Sequence, residues 1–289
     1  MTNNNMYFIA NWKMYGDLKS INSIKNVIKL SKKPKYKKAK IIYCPPYTLL
    51  DQFVKKTNKT KIDIGAQNSH THQYYGAFTG SINAKMIKNT GSKFVIIGHS
   101  ENRNSGDTNK IINQKIRSSL NEKLKVIFCI GETLREKKNK STNQVLNRQI
   151  IKGLKGIKKL GNIIFAYEPV WSIGTGIIPK LDDLENQIKQ IKILIKKIYR
   201  VKKPVVLYGG SVNNKNILLL REISTINGFL IGGASQNSKK FIDIIKKTII
   251  KPHGKHFISY KYSSRNYISS FNFDAKIRRR SSWYWCFSR

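Results

Sequence analysis

Three residue types suited to proton transfer beside a carbonyl stand far apart in this sequence: Lys13, His99 and Glu168. A carboxylate can take a proton from carbon, an imidazole can act at the neighbouring oxygen, and an ammonium group can stabilise the enediolate that forms. Each alone has a plainer interpretation, since a single histidine is more often structural and a single glutamate can belong to a salt bridge. They indicate catalysis only if the fold brings them to one place.

Two glycine-rich turns suggest a second kind of chemistry. Gly209-Gly210-Ser211 and Gly232-Gly233-Ala234-Ser235 both follow short apolar segments. Backbone N–H groups without a neighbouring Cβ can approach a phosphate closely, and helix N-termini add a positive dipole. One glycine pair would indicate only a tight turn, whereas two pairs in equivalent positions favour an anion site.

Short apolar, β-branched segments alternate with longer segments of helical apolar spacing, roughly every thirty residues. The predicted strands are 7–10, 40–43, 62–65, 94–98, 126–130, 163–167, 205–208 and 229–231. Short, fully apolar strands between helices indicate a parallel sheet that is buried on both faces. Eight such units in about 250 residues predict a (β/α)8 barrel, and an open doubly wound sheet is the alternative.

The predicted barrel places the candidate groups at one rim, because catalytic residues of such barrels follow the C-terminal ends of the strands. Asn11 and Lys13 follow the first strand, His99 the fourth and Glu168 the sixth. The two glycine turns follow the seventh and eighth strands, where barrels often bind phosphate. No G-x-G-x-x-G follows the first strand, so no dinucleotide cofactor is expected.

The charge balance is strongly basic, with 55 Lys and Arg against 15 Asp and Glu and a net charge of +40. This excludes an acidic solvating protein and brings nucleic acid, membrane surfaces and anionic substrates into consideration. The lysines are spread along the whole chain, and no RNA-binding, zinc-finger or helix-turn-helix motif is present. We interpret them as a solvated surface and expect no nucleic-acid partner.

The composition changes after residue 250. Residues 1–250 show no internal boundary and are predicted to form one barrel domain, whereas residues 251–289 carry a net charge of +8 and are rich in Ser, Tyr and Arg. Basic residues interleaved with aromatic ones could bind single-stranded nucleic acid. We favour a poorly ordered C-terminal extension. No apolar run approaches the ~18 residues of a membrane span, so no membrane partner is expected.

Cysteine usage is sparse: Cys44, Cys129 and Cys286 are too few and too scattered for a disulfide framework or a zinc cluster. This usage fits a reducing compartment, and no cationic stretch followed by an apolar one opens the chain, so we predict a cytoplasmic protein. Cys129 ends an apolar strand and is expected in the packed core.

Two histidine pairs have metal-like spacing, His70 with His72 and His253 with His256. Such spacings often occur without a metal. We expect structural or solvated histidines and no metal site.

Seven motifs in one order resemble those of the triosephosphate isomerase family and span residues 7–250. They are Asn11-Trp12-Lys13-Met14, Ile97-Gly98-His99-Ser100-Glu101, Cys129-Ile130-Gly131-Glu132, Ala166-Tyr167-Glu168-Pro169-Val170-Trp171, Ile173-Gly174-Thr175-Gly176, Tyr208-Gly209-Gly210-Ser211-Val212 and Gly232-Gly233-Ala234-Ser235. The resemblance implies a TIM barrel that interconverts dihydroxyacetone phosphate and glyceraldehyde 3-phosphate, in glycolysis and gluconeogenesis, without a cofactor. It also implies a homodimer that forms through loop 67–80.

The resemblance implies roles for the catalytic residues. Glu168 is the base that moves a proton between two carbons, and His99 is a neutral electrophile at the substrate oxygens. Lys13 and Asn11 hold the substrate and stabilise charge, and Glu101 supports them.

The resemblance also implies a phosphate site. Gly174 lies in a mobile lid, residues 171–176, whose backbone meets the phosphate on closure. Ser211, Gly232 and Gly233 complete the phosphate cradle.

This sequence departs from the family pattern in two places. Ile177-Ile178-Pro179 stands at the C-terminal hinge of the lid, where the family usually has Lys-Thr-Ala, and these stiffer residues predict altered lid opening rates. Ser81 and Asn102 replace a Glu and an Arg that usually meet near the dimer interface. Because both charges are missing, no unpaired charge is buried, and we expect a weaker dimer to persist.

Two alternatives stay open at this point. One is a polyanion-binding barrel that uses its Lys-rich surface and the C-terminal extension. The other is a barrel that has lost catalysis, against which the complete set of Lys13, His99 and Glu168 argues.

Overall fold

The computed structural model describes residues 5–250, and the expectations for the extension 251–289 lie outside these residues. Eight parallel strands form a closed barrel in chain order, with β8 paired to β1. They are β1 Met6–Asn11, β2 Ala39–Cys44, β3 Ile62–Ala66, β4 Phe94–Ile97, β5 Lys125–Ile130, β6 Ile163–Tyr167, β7 Val206–Tyr208 and β8 Gly228–Ile231. This confirms the predicted (β/α)8 barrel, excludes the open sheet, and places every predicted strand end within one residue of the observed end.

Helices on the outside connect the strands. They are α1 Ile24–Ser31, α2 Tyr47–Thr57, α3 Ala84–Asn89, α4 Ser100–Asn104, α5 Asn109–Asn121, α6 Leu134–Lys138, α7 Thr142–Gly153, α8 Leu181–Tyr199, α9 Ile217–Leu220 and α10 Ser238–Ile249. Short 3-10 helices span Lys19–Ser23, Pro34–Tyr36, Val170–Ser172 and Gly233–Gln236. Among the residues that the structure describes, no helix is both long and apolar enough to cross a bilayer.

Local sequence signals explain where these helices begin. Asp182 and Asp183 stand in the first turn of α8, where carboxylates favour the positive end of the helix dipole. Thr133 and Glu136 form a reciprocal capping box at the start of α6. The last helix begins at Ser238, because the side chain of Asn237 accepts a hydrogen bond from the Lys240 N–H.

The first helix begins later than its apolar spacing predicts. Apolar spacing at Ile21, Ile24 and Ile28 predicts one continuous helix, whereas Ile21 lies in a 3-10 turn and the α-helix begins at Ile24. Asp17 and Ser20 bond to each other's backbone N–H at 3.1 and 2.9 Å. The hydrogen bonds of this turn compete with helical backbone hydrogen bonds just before Ile21.

Two apolar layers hold the barrel together. The interior of the barrel is filled by one cluster, whose buried members are Ile9, Ile42, Cys44, Phe94, Ile96, Ile127, Cys129, Ile164, Ala166, Leu207 and Leu230. A larger cluster packs the outer faces of the strands against the helices, and it takes the alternate residues Phe8 and Ala10 of β1. Because each strand packs against one cluster on each face, the strands must be apolar on both faces. The side chains fill the interior of the barrel, so a site can form at its rim.

Candidate active site

A cavity of about 190 Å³ lies at the rim where the strands end. Its lining includes all eight predicted site residues, namely Asn11, Lys13, His99, Glu168, Gly174, Ser211, Gly232 and Gly233. They come from five different strand ends and the lid. Only the closed parallel barrel brings groups this far apart in sequence to one cavity.

Glu168 directly follows β6 and is almost completely buried, with 2% of its surface exposed. Its Oε1 lies 3.5 Å from Nε2 of His99. Burial raises the pKa of the Glu168 carboxyl, while His99, a hydrogen bond with the Cys129 thiol and the charge of Lys13 act in the opposite direction. Because a higher pKa makes the carboxylate a stronger base, this environment suits proton abstraction from carbon.

The backbone around Glu168 is fixed by a residue that the sequence analysis missed. Gly131 passes so close to Glu168 that a Cβ at position 131 would lie 1.7 Å from the Glu168 carbonyl oxygen. The side-chain amide of Gln149, on α7, bonds both the N–H and the C=O of Gly131 at 2.9 Å. Gln149 thus holds the strand end that supports Glu168, and only the packing of α7 reveals it.

His99 has a defined tautomer. Its Nδ1 accepts a hydrogen bond from the backbone N–H of Glu101 at 3.2 Å, so Nδ1 carries a lone pair. This bond leaves Nε2, which faces Glu168, as the ring nitrogen that can donate a hydrogen bond. The 3.6 Å approach of Nδ1 to Glu101 Oε2 is not an ion pair in this state.

Lys13 adopts a left-handed backbone conformation, with φ 56°, which costs energy for a residue that has a Cβ. Asn11 stabilises it, because Asn11 Oδ1 accepts from the Lys13 N–H at 3.1 Å. Gln67, the first residue after β3, donates to the Lys13 carbonyl at 2.9 Å. The Lys13 Nζ lies 2.6 Å from Oε1 of Glu101.

Gln67 was missed as a site residue, although its position could have revealed it. It follows a barrel strand, as the other candidates do. It also donates to the carbonyl of Cys44 at 2.8 Å, so it joins the ends of three neighbouring strands.

The turn after β8 lies beside Lys13, since a Cβ at Gly232 would meet the Lys13 Cε at 3.4 Å. The Ser235 N–H donates to the Gly232 carbonyl at 2.8 Å, and the indole N–H of Trp12 donates to the Ser235 carbonyl at 3.2 Å. The ammonium group and this glycine turn therefore face the same cavity.

The lid is bound to the barrel through Trp171. Its indole N–H donates to Glu132 Oε1 at 2.9 Å, and the Tyr167 hydroxyl donates to Glu132 Oε2 at 3.1 Å. Burial raises the pKa of the Glu132 carboxyl. The Lys137 Nζ lies 3.4 Å from the centre of the Trp171 ring, a cation–π contact.

Two lesser expectations concern cysteine and histidine. Cys129 is completely buried in the inner cluster, which confirms that it is core, and burial raises the pKa of its thiol well above the usual value. His70 and His72 each pack against the ring of Phe78 at 4.7 Å between ring centres. Within residues 5–250, no three His, Cys, Asp or Glu gather as metal ligands, and His253 and His256 lie outside that range.

A buried carboxylate, an imidazole and an ammonium group share this cavity with two glycine turns that suit a phosphate. These features are typical of a barrel isomerase that shifts a proton between neighbouring carbons of a small phosphate ester. The profile of the triosephosphate isomerase family matches residues 6–248. The chain belongs to this family, and it interconverts dihydroxyacetone phosphate and glyceraldehyde 3-phosphate.

Individual relatives agree with this assignment. The triosephosphate isomerase of Dictyoglomus thermophilum is 41% identical over 244 residues, which covers 82% of this chain and 97% of the relative. That of Saccharomyces cerevisiae is 38% identical over 244 residues, with 83% and 97% covered. A crystal structure of the enzyme from Bartonella henselae is 32% identical and superposes with a TM-score of 0.77, covering 84% of this chain and 98% of that one.

Proposed function

We propose that Glu168, His99 and Lys13 carry out the isomerisation. Glu168 takes a proton from the carbon next to the substrate carbonyl, and Nε2–H of His99 donates a hydrogen bond to the substrate oxygen. The ammonium group of Lys13, with Asn11, stabilises the negative charge of the enediolate. Glu168 then returns the proton to the neighbouring carbon, while His99 gives a proton to the former carbonyl oxygen and takes one from the former hydroxyl oxygen, so no net proton is gained or lost.

The observation that carries this proposal is the 3.5 Å separation between Nε2 of His99 and Oε1 of Glu168. A base for carbon and a donor for oxygen must act on adjacent atoms of one substrate, which a separation of this size allows.

We further propose that the phosphate binds at Gly174, Ser211, Gly232 and Gly233. All four line the same cavity as the base. The glycines leave backbone N–H groups accessible to an anion, and anchoring the phosphate orients the reacting carbons.

Solvent exchange tests the assignment of the base. Incubation of substrate with the protein in D2O should place deuterium at the reacting carbon, because the carboxyl group exchanges its proton with solvent between transfers. Glu168→Gln should lower this exchange by about 10²–10⁴-fold, as expected for loss of a general base. Glu222→Gln, the same change at a carboxylate that is 60% exposed on its side chain, is the control and should exchange normally. Normal exchange in Glu168→Gln would refute the assignment.

We propose that the protein is a homodimer that forms through loop 67–80. The surface around this loop is rich in exposed apolar side chains: Met14 is 99% exposed and Tyr74 is 64% exposed. Large exposed apolar groups of this kind mark interaction surfaces. Gln67 links the loop to Lys13, so burying this surface would also fix the catalytic lysine.

We also propose a cytoplasmic location. Cys44 and Cys129 are both buried as free thiols, which suits a reducing compartment. The polyanion-binding alternative gains no support, since the relatives match the barrel and the extension lies outside the described residues.

A further inference from the structure

The hydroxyl group of Ser172 is completely buried and uses all of its hydrogen-bonding capacity. Its Oγ donates to the Ile177 carbonyl at 2.6 Å and accepts from the backbone N–H of Ser211 at 3.2 Å. It also lies 3.0 Å from the hydroxyl of Tyr208. A serine hydroxyl has one hydrogen to give, and the Ile177 carbonyl can only accept. Tyr208 must therefore be the donor in the third bond.

These three bonds connect separate parts of the site. Ser172 belongs to the first turn of the lid, and Ile177 immediately follows the lid. Ser211 lies in the glycine turn after β7, and Tyr208 is the last residue of that strand. One oxygen atom thus joins both ends of the lid to the turn that lines the phosphate side of the cavity.

The neighbouring glycine shows how closely this cluster is packed. A Cβ at Gly210 would lie 2.3 Å from the Tyr208 hydroxyl and 2.7 Å from Ser172 Oγ. Any side chain at position 210 would separate the two hydroxyl groups. Gly210 therefore preserves the bond between the lid and β7.

We propose that Ser172 is a positioning residue that aligns the lid with the turn at Ser211, so that both meet the phosphate of the substrate. This inference rests on the proposed phosphate-binding role of Gly174 and Ser211. Without the hydroxyl, the Ile177 carbonyl, the Ser211 N–H and the Tyr208 hydroxyl lose the bond that they share, and the turn and the lid are free to move apart.

The test compares Ser172→Ala with the unmodified protein on two substrates, glyceraldehyde 3-phosphate and glyceraldehyde, which lacks the phosphate. We expect kcat/KM for the phosphorylated substrate to fall about 10-fold, equivalent to about 1.4 kcal/mol. Most of this change should lie in KM, and inhibition by inorganic phosphate should weaken in parallel. The kcat/KM for glyceraldehyde should not change, because that substrate makes no use of the cradle.

Tyr208→Phe is a second variant, which removes the same bond from the strand side while keeping the ring. It should show the same substrate dependence, and the double variant should lose less than the product of the two single losses, because both changes remove one interaction. If Ser172→Ala does not fold, Tyr208→Phe decides the question alone.

Several results would overturn the proposal. Equal losses on both substrates would indicate a general structural role, and an unchanged KM for the phosphorylated substrate would remove the positioning role. Stronger inhibition by inorganic phosphate in Ser172→Ala would mean that Ser172 competes with phosphate for the Ser211 N–H. Glu168→Asp, which should lower activity on both substrates, reports separately on the proposed function.

Discussion

The buried environment that makes the Glu168 carboxylate a stronger base also lowers the stability of the folded state. Its pKa is raised above the ordinary value by burial, so the folded chain binds this proton more readily than the unfolded chain does. The folded state therefore loses stability as pH rises from the ordinary glutamate pKa through the raised one, and above the raised pKa it holds a buried charge. Function thus works against stability at this single side chain.

At a pH above the raised pKa of Glu168, Glu168→Gln should therefore unfold at a higher temperature than the unmodified protein, by about 2–4 °C for each kcal/mol of relieved charge burial. The advantage should shrink as the pH falls from the raised pKa to the ordinary glutamate pKa, and below that value Glu168 is neutral in both the folded and the unfolded state. Thermal unfolding followed by circular dichroism across this range is the measurement. A variant that is less stable than its parent at every pH would contradict the burial argument.

At the scale of elements, the hinge that follows the lid is the main departure from the family pattern. Pro179 is buried and fixes φ just before α8, and Ile178 packs against the outer apolar cluster. Ile177 is bonded to Ser172 at its carbonyl and to Thr175 at its N–H, the latter at 3.2 Å. A hinge with these restraints has few backbone conformations through which to move.

Pro179→Ala should increase the opening rate of the lid by a few-fold, because it restores freedom at φ. NMR relaxation dispersion at the amides of Gly174 and Gly176 measures this rate. Pro204→Ala, a change of the same kind before β7, is the control and should leave the lid signals unchanged. Identical lid exchange in Pro179→Ala and the parent would show that this hinge does not limit motion.

Elements were easier to predict from the sequence than contacts between their side chains. The strands are recognisable in the sequence as short apolar runs. Because catalytic residues of (β/α)8 barrels follow the C-terminal ends of the strands, Lys13, His99 and Glu168 are then expected at one rim. Contacts such as Gln149 with Gly131 or Trp171 with Glu132 follow from how helices and loops pack. Nothing in the local sequence encodes those distances, so only the folded structure reveals them.

For the whole molecule, the exposed apolar surface and the large positive charge act against each other. Burial of residues such as Met14 and Tyr74 between two chains would favour association. The net charge of +40 makes two copies repel each other. Added salt screens this repulsion, so it should strengthen the dimer.

We expect sedimentation at micromolar concentration to show a dimer, and Tyr74→Asp to weaken the dimer by at least ~10-fold in dissociation constant. The activity of this variant should fall on dilution as monomers form, since the loop then supports Lys13 less well. Ile193→Asp is the control, because Ile193 is also exposed (55%) but lies on α8, far along the chain from the loop. A monomeric parent protein at micromolar concentration would contradict the dimer proposal.

Isomerase activity of Glu168→Asp tests the central claim most directly, that this carboxylate reaches the reacting carbon. The change keeps the charge and withdraws it by about 1 Å, a displacement that can cost on the order of 10²-fold in rate. We expect a loss of that size in kcat, while Glu222→Asp, the same shortening at an exposed carboxylate, retains full activity. Equal activity in Glu168→Asp and the unmodified protein would show that the base lies elsewhere.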